Sequence, residues 1–128
     1  MPPVLWVGVG GALGAMCRFS MSQILRRGLA PSLFFAGTLT VNLLGCLLIG
    51  ITFGWVQTRL HPPVLLQAAV QAGFLGGFTT YSSFGLEAWQ LWKEQSASMA
   101  VGYVLVSLIV GLGMVILGVA LAKWMWGS

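Results

Sequence analysis

Residues 73–84 hold the side chains best suited to chemistry in this chain. Three glycines fall within the first five positions, and residues 79–83 all carry hydroxyl groups. This polar stretch lies inside a hydrophobic segment, where unwound backbone is tolerated only if protein or a water-filled cavity surrounds it. Helix breaks of this kind form ion or substrate sites near the middle of membranes. The alternative is a glycine-rich helix packed closely on a neighbour. The stretch is more polar than packing requires, so we expect a break.

Two more polar side chains stand in apolar surroundings. Asn42 is the least expected, because lipid offers no partner to its amide, and it shares a helix face with Thr38. It could form an interhelical hydrogen bond, worth about 0.6 kcal/mol on average, or act as a donor beside a pathway. Arg18 could reach the membrane interface or line an aqueous vestibule that attracts anions. The residue types leave both pairs of alternatives open.

Aromatic and hydroxyl side chains add possible donors for an anion. Tyr81 and Phe84 are three residues apart on one helical face, and aromatic rings carry positive edges. A small anion could pass along such edges and along hydroxyl donors that replace its hydration. The same two rings could instead be packed or lipid-facing. Tyr103, Ser107 and Gly111 repeat at four-residue spacing, which is also typical of ordinary packing with a hydroxyl bonded to its own backbone.

Several function classes are disfavoured by what the chain lacks. It has only two acidic residues and no paired carboxylates, which argues against a proton-coupled cation pump. No pairing of a nucleophile with a base is evident, so we do not expect an enzyme. A single histidine, His61, and two cysteines in apolar segments give no metal-ligand cluster. The glycines of residues 8–14 follow no strand and indicate no nucleotide site, and we expect no nucleic-acid partner.

Composition and patterning define the elements that must position these side chains. The chain has 128 residues, 58% hydrophobic and 6% charged, whereas soluble domains carry about 25% charged residues. We therefore predict an all-α integral membrane protein with one domain, 1–128. Its four apolar segments span about 4–25, 33–56, 64–92 and 99–123. The third is longer than the roughly 20 residues that one crossing needs, as a central break would require.

The basic residues are divided almost evenly between the two sides of such a protein. Four spans place Arg59 and Lys123 on one side and Arg26, Arg27 and Lys93 on the other. Two against three is a weak bias for orientation in a membrane. The chain could therefore insert both ways and form an antiparallel homodimer, or take one orientation set by Arg26 and Arg27. The first segment also has glycines four residues apart, which give a smooth helix face for close contact. Because such small-residue faces need partners, we predict a homodimer with pathways at or near its interface.

Three stretches of the sequence resemble a known family. Residues 10–18, 37–45 and 73–84 are similar to those of the CrcB/Fluc fluoride channels, and the similarity covers nearly the whole chain. The second and third stretches together are highly specific. The resemblance implies an antiparallel, dual-topology homodimer in the bacterial inner membrane. It also implies two pores that export fluoride passively from the cytoplasm and protect against fluoride toxicity.

The resemblance also implies roles for particular residues. A structural sodium ion at the dimer interface would be held by the backbone carbonyls of Gly76 and Thr79. Together, the donors and the resemblance give a fluoride pathway that consists of Arg18, Thr38, Asn42, Tyr81, Ser82, Ser83, Phe84, Glu87, Tyr103 and Ser107. Two positions depart from the family pattern. Tyr81 stands where phenylalanine is usual, and Gly111 stands where a second serine is expected.

Two other functions are compatible with four spans and weak charge bias. A small multidrug exporter would exchange protons for cations through an acid in its first segment, where this chain has Arg18 and no acid. A structural subunit of a larger membrane complex would transport nothing alone. The residues themselves predict a dimeric membrane protein with a polar break and lipid around it. Fluoride as the substrate comes from the resemblance.

Overall fold

The computed structural model describes residues 1–59 and 62–127, and every regular element in them is helical. His61 lies outside the described residues. A short 3-10 turn, Pro31–Leu33, leads from the first helix to the second. The helices are α1 (Pro3–Gly28), α2 (Ala36–Thr58), α3 (Val64–Gln67 continuing through Ala68–Leu75 and Gly76–Phe78), α4 (Tyr81–Glu94) and α5 (Ala97–Trp126). The all-α class predicted from composition is confirmed.

Within the part of the chain that the structure describes, three helical segments are long and apolar enough to cross a membrane. They are Pro3–Gly28, Pro31–Thr58 and Ala97–Trp126, the first and third being α1 and α5 and the second α2 with its preceding turn. Each has 26 or more residues, against the roughly 20 that a span needs. The protein is therefore a multi-pass membrane protein. The predicted third segment is divided into α3 and α4.

Local sequence explains where several helices begin. A proline occupies the first helical position of α1, where its missing N–H costs nothing. The Ser96 side chain caps α5 by accepting a hydrogen bond from the Met99 N–H at 3.2 Å. Thr80 caps α4 in the same way. The start of α4 is therefore encoded by a residue within the predicted break.

Helix α1 packs on α3 backbone to backbone. A Cβ added to Gly14 would stand 2.9 Å from the Phe78 nitrogen, and one added to Gly77 would stand 3.1 Å from the Gly11 Cα. Small residues allow such close contact between membrane helices. The middle of α3, Ala68–Leu75, is π-helical, a wide winding often found at functional sites. The glycine face predicted for the first segment is thus used to bring α1 against α3.

Helices α2 and α5 also pack closely against each other. A Cβ on Gly50 would stand 3.1 Å from the Gly118 Cα. A small core of buried side chains lies at the start of both helices, where Tyr103 of α5 packs on Phe35, which precedes α2, and on Phe84 of α4. This core fixes α4 against both helices.

Candidate functional site

The helix break predicted from the sequence lies at Thr79 and Thr80. Both residues are extended, with φ −88° and ψ 159° at Thr79 and φ −149° and ψ 121° at Thr80. The N–H and Oγ1 of Thr79 donate to the Leu75 carbonyl at 3.1 and 3.0 Å, which ends α3. The Ser83 N–H donates to Thr80 Oγ1 at 3.3 Å, which starts α4. Side-chain hydroxyls therefore replace part of the helical hydrogen bonding, and the break is confirmed.

Asn42 contacts this break from α2. Its Oδ1 accepts from the Thr80 N–H at 2.8 Å, and its Nδ2 donates to the Thr80 carbonyl at 3.0 Å. Both are hydrogen bonds between segments distant in the sequence. Since an amide nitrogen carries two protons, one Nδ2 proton is left beyond the bond to Thr80.

The backbone carbonyls that precede the break are unequally satisfied. Within the described residues, the Gly77 carbonyl accepts from Arg18 Nε at 3.1 Å. The carbonyls of Gly76, Phe78 and Thr79 receive no backbone donor from across the break. Unpaired carbonyl groups inside a membrane protein are costly. They therefore indicate a place where a ligand or water completes the bonding.

A central cavity of about 370 Å³ opens beside the break, between α2, α3, α4 and α5. Its lining includes Gly76 and Thr79, the first and last of the carbonyls just described, but neither Gly77 nor Phe78. The predicted pathway residues that line it are Asn42, Tyr81, Phe84 and Ser107. The structure thus brings four of the ten predicted pathway residues together in this cavity.

Ser107 lines this central cavity and carries an unpaired hydroxyl. Its Oγ is buried and has no hydrogen-bond partner among the described residues. The four-residue spacing of Tyr103, Ser107 and Gly111 is also typical of a hydroxyl bonded to its own backbone. The structure does not show that bond for Ser107. Gly111, one turn further along α5, lies against Cys46, whose Sγ would be 3.5 Å from an added Cβ.

The rings of Tyr81 and Phe84 lie side by side at the mouth of the central cavity. Their centroids are 5.8 Å apart, and Phe84 is also 5.3 Å from Tyr103. Tyr81 is 85% exposed, whereas Phe84 is partly buried. The two rings therefore share a face, as the three-residue spacing predicts, and Tyr81 projects outward from the chain.

A second, polar cavity of about 170 Å³ lies on the other side of the break. It is lined by Arg18 and Arg26 of α1, by Thr38 of α2 and by Ser83 and Glu87 of α4. Thr80 lines both this polar cavity and the central cavity. Because Arg18 bonds the Gly77 carbonyl while lining the polar cavity, it is anchored inside the protein near the break.

Glu87 is a buried acid held by two hydroxyl groups. It is 8% exposed, and its oxygens accept from Thr38 Oγ1 at 2.7 Å and from the Tyr103 hydroxyl at 2.9 Å. The acid therefore ties α4 to α2 and α5. It also engages the hydroxyl protons of two residues that were expected along the pathway.

Two hydroxyl residues of the break lie elsewhere than the predicted pathway places them. Ser82 is exposed and lines neither cavity, with its Oγ 3.5 Å from Thr80 Oγ1. Thr80, which sequence reasoning left out of the pathway, bonds to Asn42 and separates the two cavities. The position of Thr80 among the hydroxyl residues 79–83 indicated a polar site, but the sequence does not show that Asn42 is its partner. Gln71 of α3 also lines the central cavity and was not singled out.

The fold and the site define a small multi-pass membrane protein with a discontinuous helix between two cavities, an arrangement typical of ion-handling membrane proteins. Residues 5–119 match the family described as "CrcB-like protein, Camphor Resistance (CrcB)". The chain belongs to this family, and the resemblance seen in its motifs is confirmed.

Curated relatives cover nearly the whole chain. A protein of Hahella chejuensis is 39% identical over 123 residues, 96% of each chain. One of Azotobacter vinelandii is 43% identical over 119 residues, 93% of this chain and 95% of the relative. Both relatives are named "Fluoride-specific ion channel FluC". A Listeria innocua protein named "Fluoride-specific ion channel FluC 2" is 40% identical over 114 residues, 89% of this chain and 85% of the relative.

Proposed function

We propose that this protein is a fluoride-selective channel that exports fluoride passively from the cytoplasm and thereby protects against fluoride toxicity. The observation that carries the proposal is the extended break at Thr79 and Thr80, which opens onto a cavity lined by hydrogen-bond donors. The names of the relatives supply the ion. They are ion channels by name, which is not an enzyme class.

The central cavity offers donors that suit a small anion. Fluoride must lose hydration water to enter a narrow path, and donors must replace that water. The Ser107 hydroxyl is unpaired, and Asn42 Nδ2 has a proton that Thr80 does not use. The rings of Tyr81 and Phe84 add positive edges. The Thr38 and Tyr103 hydroxyls lie outside this set, because both donate to Glu87 and neither residue lines the central cavity.

Arg18 provides the positive charge that draws anions toward the break. Its guanidinium lines the polar cavity with Arg26, and its Nε is fixed on the Gly77 carbonyl. Two arginines and one carboxylate, that of Glu87, line this cavity, so its charge is positive on balance, and a cleft with an excess of one sign raises the local concentration of counter-ions. The polar cavity therefore serves as the vestibule from which fluoride reaches Thr80 and Ser83.

The carbonyls of Gly76 and Thr79 fit the sodium ion implied by the family resemblance. Hard cations bind oxygen ligands, and these carbonyls lack backbone donors while their residues line the central cavity. When bound, sodium would supply a fixed positive charge between the two halves of the broken helix. We expect this ion to be structural and to lie where two protomers meet.

The outward side of the central cavity supports a homodimer. Tyr81 is 85% exposed and Leu108, which also lines the cavity, is 60% exposed. A second copy would close this cavity and complete the pathway. With α3 and α4 together forming one crossing, the chain has four spans, and its nearly even charge distribution favours an antiparallel, dual-topology pair. We assign the dimer to the bacterial inner membrane, surrounded by lipid.

The contacts of Glu87 disfavour a proton-coupled cation exporter. The acid is buried, but both its oxygens are already bonded to hydroxyls, and Arg18 lines the same polar cavity. An organic cation entering this cavity would meet a fixed positive charge. Proton-coupled uptake of an aromatic cation by the purified protein would overturn this conclusion.

Fluoride efflux from proteoliposomes tests the proposed function. A fluoride electrode should record rapid loss in the wild-type protein, while a chloride electrode records little. Ser107→Ala should slow fluoride loss, because it removes an unpaired donor from the cavity without breaking a protein hydrogen bond. Ser98→Ala, an exposed change on the same helix, is the matched control and should behave as wild type. Fluoride loss no faster than from empty liposomes would refute the channel.

A further inference from the structure

The Asn42 amide is occupied by the backbone of a single residue. It accepts from the Thr80 N–H at 2.8 Å and donates to the Thr80 carbonyl at 3.0 Å. Backbone polar groups inside a membrane protein must find partners. Asn42 supplies both partners where neither helix does, and so stabilises the extended conformation of Thr80. This is a structural task distinct from donating to an anion.

The Asn42 contact determines which carbonyls remain free. In a continuous helix, the Thr80 N–H would donate to the Gly76 carbonyl four residues earlier. Because that N–H donates to Asn42, the Gly76 carbonyl is left without its helical donor. The Ser83 N–H likewise donates to Thr80 Oγ1 and leaves the Thr79 carbonyl free. Both freed groups belong to residues that line the central cavity.

The close approach of α2 makes this contact geometrically possible. Gly45 lies about one turn after Asn42, and a Cβ there would overlap Thr79 Cγ2. Asn42 therefore forms hydrogen bonds with Thr80, while Gly45, which has no side chain, leaves room for Thr79. A larger residue at position 45 would hold α2 away from Thr80.

We propose that Asn42 is a positioning residue for the cation. By holding Thr80 extended, it keeps the Gly76 and Thr79 carbonyls free to bind sodium. The inference rests on the proposed function, because it requires the sodium site. It assigns the asparagine a role that does not depend on contact with fluoride.

Sodium-dependent stability tests this role without measuring transport. The melting temperature of purified dimers is followed by tryptophan fluorescence while sodium replaces N-methyl-D-glucamine at constant chloride. A ligand that binds only the folded state raises the melting temperature as its concentration exceeds its dissociation constant. Loss of a group that orients metal ligands weakens metal affinity about 10–100-fold. We expect Asn42→Ala to raise the sodium concentration for half-maximal stabilisation at least about tenfold.

Two variants make the comparison specific. Asn42→Asp has nearly the same shape as the wild-type residue and keeps an acceptor for the Thr80 N–H, but it loses the donor to the Thr80 carbonyl. Its sodium midpoint should therefore fall between those of the wild-type protein and Asn42→Ala. Ser107→Ala removes a donor from the same cavity without touching Thr80. It should keep the wild-type sodium midpoint even though it slows fluoride.

Hydrogen exchange in the wild-type protein provides a measurement that needs no variant to fold. If Asn42 organises the break, the Thr80 N–H stays protected when sodium is removed. If the cation organises the break, this N–H exchanges at the rate of a free amide in sodium-free buffer. That second result would overturn the positioning role.

The outcomes separate this inference from the proposed function. An unchanged sodium midpoint in Asn42→Ala with lost fluoride efflux would refute positioning and leave the channel standing. If sodium does not raise the melting temperature of the wild-type protein, both the cation site and the positioning role are refuted. The channel function is then tested separately by fluoride efflux. A midpoint shifted in Asn42→Ala but not in Ser107→Ala supports the inference.

Discussion

The hydroxyl groups on Glu87 allow a quantitative test of the fold around the site. The carboxylate is 8% exposed and accepts from Thr38 at 2.7 Å and from Tyr103 at 2.9 Å. Hydrogen bonds to charged groups contribute about 1.5–3 kcal/mol, whereas interhelical hydrogen bonds in membranes average about 0.6 kcal/mol. Because the acceptor is a buried carboxylate, we expect the larger value. Thr38→Val and Tyr103→Phe should each lower the free energy of unfolding by about 1.5–3 kcal/mol.

The double variant should be worse than the sum of the single ones. With one hydroxyl removed, Glu87 keeps the other, but with both removed the acid has neither donor. Residues that share one hydrogen-bond network show coupling energies of about 0.5–3 kcal/mol. We therefore expect a clear coupling between Thr38 and Tyr103 through Glu87.

Equilibrium unfolding in detergent micelles, followed by circular dichroism, measures these losses. The matched control is Thr40→Val on the same helix, whose exposed hydroxyl donates only to the Ala36 carbonyl of its own helix at 2.8 Å. Its effect should stay within about 0.5 kcal/mol. Losses in Thr38→Val and Tyr103→Phe that match this control, or that add without coupling, would refute a stabilising network in which two donors hold Glu87.

Three further changes test other parts of the structure. Gly14→Ala would press a methyl group into the Phe74 carbonyl and should destabilise the protein by about 1–3 kcal/mol in the same unfolding assay, whereas Gly8→Ala, with nothing within 4 Å, should cause no loss. Tyr81→Phe removes an exposed hydroxyl and should retain fluoride efflux; abolished efflux would identify this hydroxyl as a required donor. In Gly111→Ser the added Cβ would stand at ordinary contact distance, 3.5 Å from Sγ of Cys46, which lines the central cavity. The variant should speed efflux, since it adds a donor near the cavity; slower efflux would contradict that reasoning.

Much of the fold follows from apolar length and local residue types. The predicted segments agree with the helices to within a few residues, because the ends of apolar runs coincide with prolines, caps and charges. The break was predictable because glycines and hydroxyls cluster at residues 73–84. Its two extended residues, Thr79 and Thr80, lie within the predicted stretch.

The pairing of side chains could not be predicted in the same way. Asn42 and Thr80 are 38 positions apart, and Thr38 and Glu87 are 49 apart. Such contacts depend on how the helices cross. The sequence left Asn42 as either a hydrogen-bond partner or a donor beside a pathway, and the structure shows an amide that bonds the break while lining a cavity. Arg18 similarly bonds a carbonyl near the break and lines the polar cavity.

The geometry of the site depends on the number of residues in the π-helical part of α3. Each residue of an α-helix turns the chain by about 100°, and each residue of the wider π-helix turns it by somewhat less, so deleting one residue within Ala68–Leu75 would rotate everything that follows. Gly77 would leave its contact with Gly11, and Gly76 would turn away from the central cavity. A substitution at the exposed Ala72 preserves this phase, but a single-residue deletion does not. Related sequences should therefore vary in residue type along this segment far more readily than in its length.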